Sequence, residues 1–468
     1  MIRILPIALL ALILTAHADI DRTKKPEAGP APEAAFPDYV TKVLPNGLKV
    51  FVIEDDRKPT ITMRLVIRAG DANDNKPGIA GFVAGLLNRG TATRDALTFA
   101  KAVDSLGATI EAGSGPDSIS VSASALTKVT DPLLVLFTDA AMHPSFAQEE
   151  FAKAQKRTLS SLTAQKKEPR ALAGKLMSRV IFGDHLYGKF TTPESVKAIT
   201  RNDLASFHGI WFKPDHASLA IVGDVKAAEI LPKIEEAFGV WQNIREQHGM
   251  TDFRKKVSGL TIHLLDLPGS VQSNVIVCRD GPSRKDAADL PEMNVMNSIL
   301  GGGFSGRLFQ NLREKHGYTY GSSSAFGYNR VAGYFQATAE TRNDVTAAAI
   351  TEILSEIKRI RTESVAEPEL ELQRQYNIGN YLLSLENAGR VATRVQDIDL
   401  YGLAPDFYKT YAKRMAAVTP EKVKELAEKY LSSMNAAIVV VGDAKQIRES
   451  LEKIAPVVMY DTDLKVVK

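Results

Sequence analysis

The sequence predicts an α+β fold built from two homologous domains, each a mostly antiparallel sheet with helices packed on one face. Three observations predict it. Segments with strand-like alternation come in groups ahead of long amphipathic helices, which is the order of layered α+β folds. One set of landmarks occurs twice along the chain. The chain has 468 residues, 44% hydrophobic and 24% charged, an ordinary globular composition with length for two large domains.

The N-terminus comes first. Arg3 is followed by the apolar run "ILPIALLALIL", then by Ala16 and Ala18 in an A-x-A arrangement. That pattern predicts a signal peptide over residues 1–18, cleaved after Ala18. The run is shorter than the roughly 20 residues a bilayer span needs. An uncleaved anchor is the alternative. No cysteine follows the run, which argues against a lipoprotein. Residues 19–36 are rich in Pro, Ala and charge and predict a disordered lead-in. In a Gram-negative cell this leader implies secretion across the inner membrane to the periplasm, with no stable membrane anchor.

The first domain is expected over residues 37–245. "NGLKVFVI" and "TITMRLVIRAG" alternate as half-buried strands do. Residues 78–89 predict a buried helix, ending at Gly90. "DALTFAKAVDSLG" predicts a second, amphipathic helix. "ATIEA" and "SISVSASA" return to strand. "QEEFAKAQKRTLSSLTAQKK" has the apolar spacing of a long helix. Near 204–238, helix, strand and helix follow one another, with the strand "SLAIV" ending at a Gly-Asp turn.

The same series returns near 423–455, where "AIVVV" ends at a second Gly-Asp turn. Gly402 lies as far from Gly183 as Thr419 from Thr200 and Gly442 from Gly223, 219 positions in each case. Three landmarks at one offset point to a duplication. A charged stretch from 243 to 256 separates the halves. It predicts a linker at 246–256 and a second domain at 257–468.

Charge and residue inventory exclude several chemistries. Fifty-eight basic and 55 acidic residues leave a formal net charge of +3, too little for a strong nucleic-acid field. The single cysteine, Cys278, excludes an internal disulfide and any multi-cysteine metal site. It sits in "NVIVC" and reads as a buried structural thiol. The histidines are His17, His143, His185, His208, His216, His248, His263 and His316. No two are three or four residues apart, so no helix presents a His pair, and both H-E-x-x-H and H-x-x-E-H are absent. His185 and His316 read as surface or packing residues. There is no G-x-S-x-G. "GGGFSG" at 301–306 fits G-x-G-x-x-G, but the residues before it, "LPEMNVMNSIL", predict a helix where a dinucleotide fingerprint requires a strand. Those glycines read as sites of close backbone approach or as a hinge.

From about residue 40 to 455 the chain resembles the M16 (pitrilysin, or mitochondrial-processing-peptidase-like) metallopeptidases. The resemblance rests on "LPNGLKVFV" at 44–52, "GIAGFVAGLLNRGT" at 78–91, "LYGKFTTPESVKAIT" at 186–200 and "IVGDV" at 221–225. It also rests on "GGGFSGRLFQNLREKHGYTYG" at 301–321 and "VVVGD" at 439–443. The implied fold is the M16/LuxS-like pair of domains. Active members carry H-x-x-E-H inside the segment that reads "GIAGFVAGLL" here. The resemblance puts their first zinc ligand at Gly81, their general base at Ala84 and their second ligand at Gly85. It puts the third ligand, a glutamate, at Ser161, and an accompanying glutamate at Ala154. Those residues cannot hold zinc, which takes His, Cys, Asp or Glu. The resemblance therefore implies a zinc-less first half whose positions 81, 84 and 85 share one helix face.

The second half keeps an Arg and a Tyr seven apart, Arg313 and Tyr320. By themselves they read as a solvated helix residue and a strand packing residue. In the family such a pair reaches over a facing zinc site, binds substrate and stabilises the tetrahedral intermediate, a role guanidinium and phenol donors fit. Tyr318 is a neighbouring phenol. The resemblance implies a non-catalytic subunit of a two-component peptidase. Zinc and H-x-x-E-H would belong to a sister subunit, a peptide would be the substrate, and this chain would bind no cofactor and be inactive alone. The alternative is a structural or peptide-binding scaffold with no part in proteolysis. A free-standing peptidase with another nucleophile finds no supporting motif.

Overall fold

Two of the alternating segments near the start meet through a strand far along the chain. In the computed structural model, which describes residues 36–243 and 257–467, β1 (Val40–Val43), β2 (Lys49–Glu54), β3 (Thr60–Ile67), β4 (Thr109–Ser114), β5 (Ile119–Leu126) and β6 (Ala217–Gly223) form one sheet in the order β1-β2-β6-β3-β5-β4. β6 runs parallel to β2, from Lys49↔Ser218 to Glu54↔Gly223. It runs antiparallel to β3, from Ile61↔Gly223 to Ile67↔Ala217. Gly223 closes the strand at φ +146°, and a Cβ there would lie 2.1 Å from the Thr60 carbonyl oxygen. Only glycine fits that turn.

The second sheet repeats the plan. β7 (Leu260–Asp266), β8 (Gln272–Gly281), β9 (Thr319–Tyr328), β10 (Gly333–Arg342), β11 (Ala436–Gly442), β12 (Val457–Tyr460) and β13 (Val466–Val467) lie in the order β13-β12-β7-β11-β8-β10-β9. The central β11 is again the strand that ends at a Gly-Asp turn. It is parallel to β7 and antiparallel to β8. The fold is α+β with mostly antiparallel neighbours, as the alternation predicts. The parallel joins occur where β6, β11 and β12 return beside earlier strands.

Helices of the first half are α1 (Ile79–Leu86), α2 (Ala96–Ser105), α3 (Thr130–Met142), α4 (Gln148–Gln165), α5 (Pro169–Phe182), α6 (Pro193–Ala198), α7 (Arg201–Trp211) and α8 (Ala227–Gly239). Those of the second are α9 (Leu290–Gly301), α10 (Arg307–Phe309), α11 (Thr346–Thr362), α12 (Glu367–Ser384), α13 (Ala388–Tyr401), α14 (Tyr411–Ala416), α15 (Pro420–Tyr430) and α16 (Ala444–Glu452). The duplication holds to the residue over four elements. The bounds of α4, α5, α7 and β6 plus 219 are the bounds of α12, α13, α15 and β11. The landmarks themselves are boundary residues. Thr200 and Thr419 cap α7 and α15 through their hydroxyls. Gly183 and Gly402 end α5 and α13 with positive φ.

One expectation needs enlarging. Each sheet has helices of its own half on one face, and a helix of the other half on the opposite face. β6 is buried along its whole length. Leu219 and Ile221 belong to a core with α1, α3 and α8, while Ala220 and Val222 belong to a core with Val391, Ala392 and Val395 of α13. In the second sheet, Ile276, Cys278, Val439 and Val441 pack with Leu172, Leu176 and Met177 of α5. The duplicate helices α5 and α13 are thus exchanged between the halves. A central strand buried on both faces reads as a continuous apolar run, which is how "LAIV" and "AIVVV" read.

Two boundaries also shift. The helix expected at 78–89 stops at Leu86. The chain turns there, Asn88 donates to the Ile110 carbonyl at 2.8 Å, and Gly90 takes φ +106°. The lead-in expected to run to residue 36 gives way at Phe36, which is buried and stacks on Tyr408 at 5.5 Å between ring centroids. Residues 1–35, including the expected signal peptide, and the expected linker at 246–256 lie outside the described residues. Among the described residues no helix is long and apolar enough to cross a membrane.

Candidate functional site

The site begins at the N-terminus of α1. Gly78 enters the helix at φ +114°, and Asp74 accepts the Gly78 and Ala80 N–H groups at 2.7 and 2.8 Å. α1 packs on α4 through Phe82 and Phe151, edge to face at 5.6 Å. Ala154 and Ser161, two turns apart on α4, therefore share the face turned to α1. Gly81, Gly85, Ala154 and Ser161 all line one cavity of about 640 Å³. Residues far apart in sequence thus converge where the resemblance puts metal ligands. Ala84 differs: it is only 2% exposed and packs in the core, and it does not line the cavity. Its side chain is a methyl group, too short to reach out of the helix.

The residues present do not fit zinc. Glycine offers no ligand atom, and Ser161 takes a hydrogen bond from Gln165 at 3.2 Å. Among the described residues no group of three or more His, Cys, Asp or Glu is placed to hold a metal. There is open space beside both glycines. A Cβ at Gly85 would meet nothing within 4 Å, and one at Gly81 only the Ser114 hydroxyl at 3.8 Å.

The cavity has polar residues that sequence reasoning missed. Arg157, Lys175 and Lys189 line it, with Asp71 and Asp74 at the α1 end. Burial pushes the Asp74 carboxyl up to about 7, against the pull of its backbone N–H bonds. Burial also raises Asp71, and a bond with Ser114 opposes it. Desolvation lowers the Lys175 ammonium, which lies 5.8 Å from the centre of the Phe190 ring. Arg157 was within reach of the sequence, since it falls between Ala154 and Ser161 at helical spacing. Lys175 on α5 and Lys189 in the following loop were not, because only the tertiary fold brings them here.

Arg313 and Tyr320 stand elsewhere and line no part of this cavity. Arg313 lies in a π-helical turn, Gln310–Lys315, that continues α10; such turns are rare and recur at functional sites. Its guanidinium sits 4.9 Å from the centre of the Phe309 ring and 3.6 Å from the Glu314 carboxylate. Tyr320, near the start of edge strand β9, is 87% exposed. Tyr318 is half-buried and stacks on His316 at 4.9 Å. The glycines at 301–306 follow a helix, as expected, and serve close approach. A Cβ at Gly301 would lie 2.7 Å from the Ser324 nitrogen, and one at Gly306 2.9 Å from the Gly301 Cα. Cys278 is buried, its thiol 3.5 Å from the Ala437 carbonyl and its pKa raised by desolvation.

Two duplicated α+β halves share one plan of sheet and helices, and Gly81, Gly85, Ala154 and Ser161 line one cavity where the resemblance puts metal ligands. Comparison with known proteins agrees on the kinship. Residues 49–193 match the family model described as insulinase (peptidase family M16), and residues 198–377 match the one described as peptidase M16 inactive domain. An uncharacterized zinc protease of Rickettsia bellii is 26% identical over 389 residues, covering 82% of this chain and 90% of that protein. One from Mycobacterium leprae is 25% identical over 407 residues, covering 85% and 90%. Among solved structures, a peptidase M16 inactive domain from Pseudomonas fluorescens superposes with a TM-score of 0.81 at 24% identity, over 86% of this chain and 98% of that one. A protease from Helicobacter pylori does so with 0.81 at 18%, over 87% and 100%. The chain belongs to the M16 peptidase family.

Proposed function

We propose that this chain is the non-catalytic, substrate-binding subunit of a heterodimeric zinc metallopeptidase that hydrolyses peptides. Its partner is an M16 sister subunit carrying H-x-x-E-H, the zinc and the general base. This chain supplies Arg313 and Tyr320. The observation that carries the reading is a contrast within one molecule. The positions where the resemblance puts the metal site hold glycine, alanine and serine, while Arg313 and Tyr320, where it puts the Arg/Tyr pair, are exposed. Tyr320 is 87% exposed, so its side chain is open to a facing subunit. The guanidinium and the phenol donate hydrogen bonds to a substrate carbonyl whose oxygen gains negative charge during hydrolysis. The two subunits close around a peptide chamber, and the leader pattern at residues 1–18 supports a periplasmic location for the pair in a Gram-negative cell.

The test is co-expression with an M16 gene that encodes H-x-x-E-H. The expected result is a co-purifying pair that cleaves a fluorogenic peptide, with one zinc per pair. This chain alone should hold no stoichiometric zinc and show no turnover. About one tightly held zinc on the isolated chain, or a stable pair whose activity equals that of the sister alone, overturns the reading. The second of these outcomes selects the scaffold alternative.

A further inference from the structure

The cavity at the emptied metal site carries charge of a kind that a zinc site does not use. Arg157, Lys175 and Lys189 line it from three segments, α4, α5 and the loop after α5. None has an ion-pair partner among the described residues. The acidic residues are committed. Asp74 holds the first turn of α1 and Asp71 is bonded to Ser114, so both carboxylates already have partners. The charge free to meet a ligand is positive. A second cavity of about 580 Å³ shares Lys175, Phe190, Thr191, Leu162 and Gln165 with the first, so the two form one cleft. It adds Arg179 and Lys465. Its acidic residues are also engaged: Asp463 pairs with Lys166 at 2.6 Å, and Glu194 is bonded to Thr192 and its own N–H.

We infer that the emptied metal site has become a carboxylate-binding site that takes an acidic segment of an extended peptide. The inference rests on the substrate-binding reading above and names the substrate class. Loss of the ligand side chains removes the bulk that would fill the cleft. A guanidinium and two ammoniums attract carboxylates, the guanidinium by a two-pronged bond. Phe82, Leu86, Leu162 and Phe190 give apolar walls for the methylenes of glutamate. The carboxylate could come from acidic side chains or from a peptide C-terminus.

Fluorescence anisotropy on the isolated chain tests this. The probes are a fluorescein-labelled ten-residue peptide with three central glutamates, its glutamine counterpart, and both again as C-terminal amides. The glutamate peptide should bind at least tenfold more tightly than the glutamine one, and less tightly as salt is raised. If amidation leaves that ratio unchanged, side chains are read; if it removes binding, the C-terminus is read. Lys175→Gln and Lys189→Gln should each weaken binding roughly two- to fivefold, and Lys128→Gln, exposed and outside the cleft, should not. Gly85→Leu fills the cavity from an open helix position and should abolish binding without lowering the melting temperature. Equal affinity for all four peptides overturns the inference. So does unchanged affinity in the Lys175 and Lys189 variants. The assay reads binding by one chain, so its failure leaves the two-chain peptidase standing. An inactive reconstituted pair would leave these affinities untouched.

Discussion

Lys49 on β2 donates to Asp399 on α13 at 2.9 Å, joining residues 350 positions apart. Asp399 also takes Arg68 of the first half. Three residues earlier on α13, Gln396 is 1% exposed. It accepts from the Arg64 guanidinium at 2.7 Å and donates to the Arg64 and Ser218 carbonyls at 2.9 Å each. The exchanged helix is therefore tied to the first sheet by buried polar bonds as well as by apolar packing.

Gln396→Leu keeps the volume and removes those bonds. Each buried group left without a partner costs about 1–3 kcal/mol. The variant should lose at least about 2 kcal/mol in urea unfolding. Both halves should weaken together, because the helix belongs to one and covers the other. A midpoint equal to wild type would show that the apolar contacts of α13 alone hold the exchange.

Arg313→Ala and Tyr320→Phe should leave the melting curve and partner binding nearly unchanged, since Tyr320 is 87% exposed and the Arg313 side chain 43% exposed. In the reconstituted pair each should lower kcat roughly 10²–10³-fold, the usual loss for one oxyanion donor. Arg313→Ala should also raise KM. The double variant should lose less than the product of the two. Tyr318→Phe is the control and should be nearly silent. Steady-state kinetics on a fluorogenic peptide decides, and near wild-type turnover in both single variants would make the pair structural.

His208 predicts a pH dependence. Its Nε2 meets the Ala141 carbonyl at 2.9 Å and its ring stacks on Phe212 at 4.2 Å. Burial lowers its pKa to about 4, against about 6.5 unfolded. The neutral ring is the form the fold accepts. Its contribution is complete above about pH 6.5 and is lost as pH falls through 6.5 to about 4, up to about 3 kcal/mol. Urea midpoints measured from pH 7.5 to 4.5 should fall less steeply for His208→Gln than for wild type. Parallel slopes would show that other groups carry the acid sensitivity.

Much of the fold was legible because it is written in local periodicity. Alternation marked β2, β3 and β5, and a three-to-four spacing marked α2 and α4. Thr200, Thr419, Gly183 and Gly402 could be paired at sight because caps and turns demand particular residue types at particular positions. Phe36 was lost in a Pro/Ala-rich context, since nothing local announces that a lone aromatic will find Tyr408. The early end of α1 was missed for a related reason: Leu87 and Asn88 are acceptable in a helix, and the bond from Asn88 to Ile110 comes from another strand.

By itself the sequence determined the duplication and the residue types at positions 81, 84, 85 and 161, because a side-chain ligand is a matter of residue identity. Gly81 and Gly85 have no side-chain ligand atom in any conformation, and Ser161 offers a hydroxyl in place of the His, Cys, Asp or Glu that zinc takes. Only the tertiary structure decided which surfaces those residues face. It crossed α5 and α13 between the halves and turned Ala84 into the core. It also brought Lys175 and Lys189 beside Gly85 in one cleft. Periodicity records which side of an element is apolar, but the sheet or helix that covers that side is chosen by contacts between segments distant in the chain. Both exchanged helices come from duplicated segments with similar apolar faces, so local pattern alone could not distinguish a helix packed at home from one packed across.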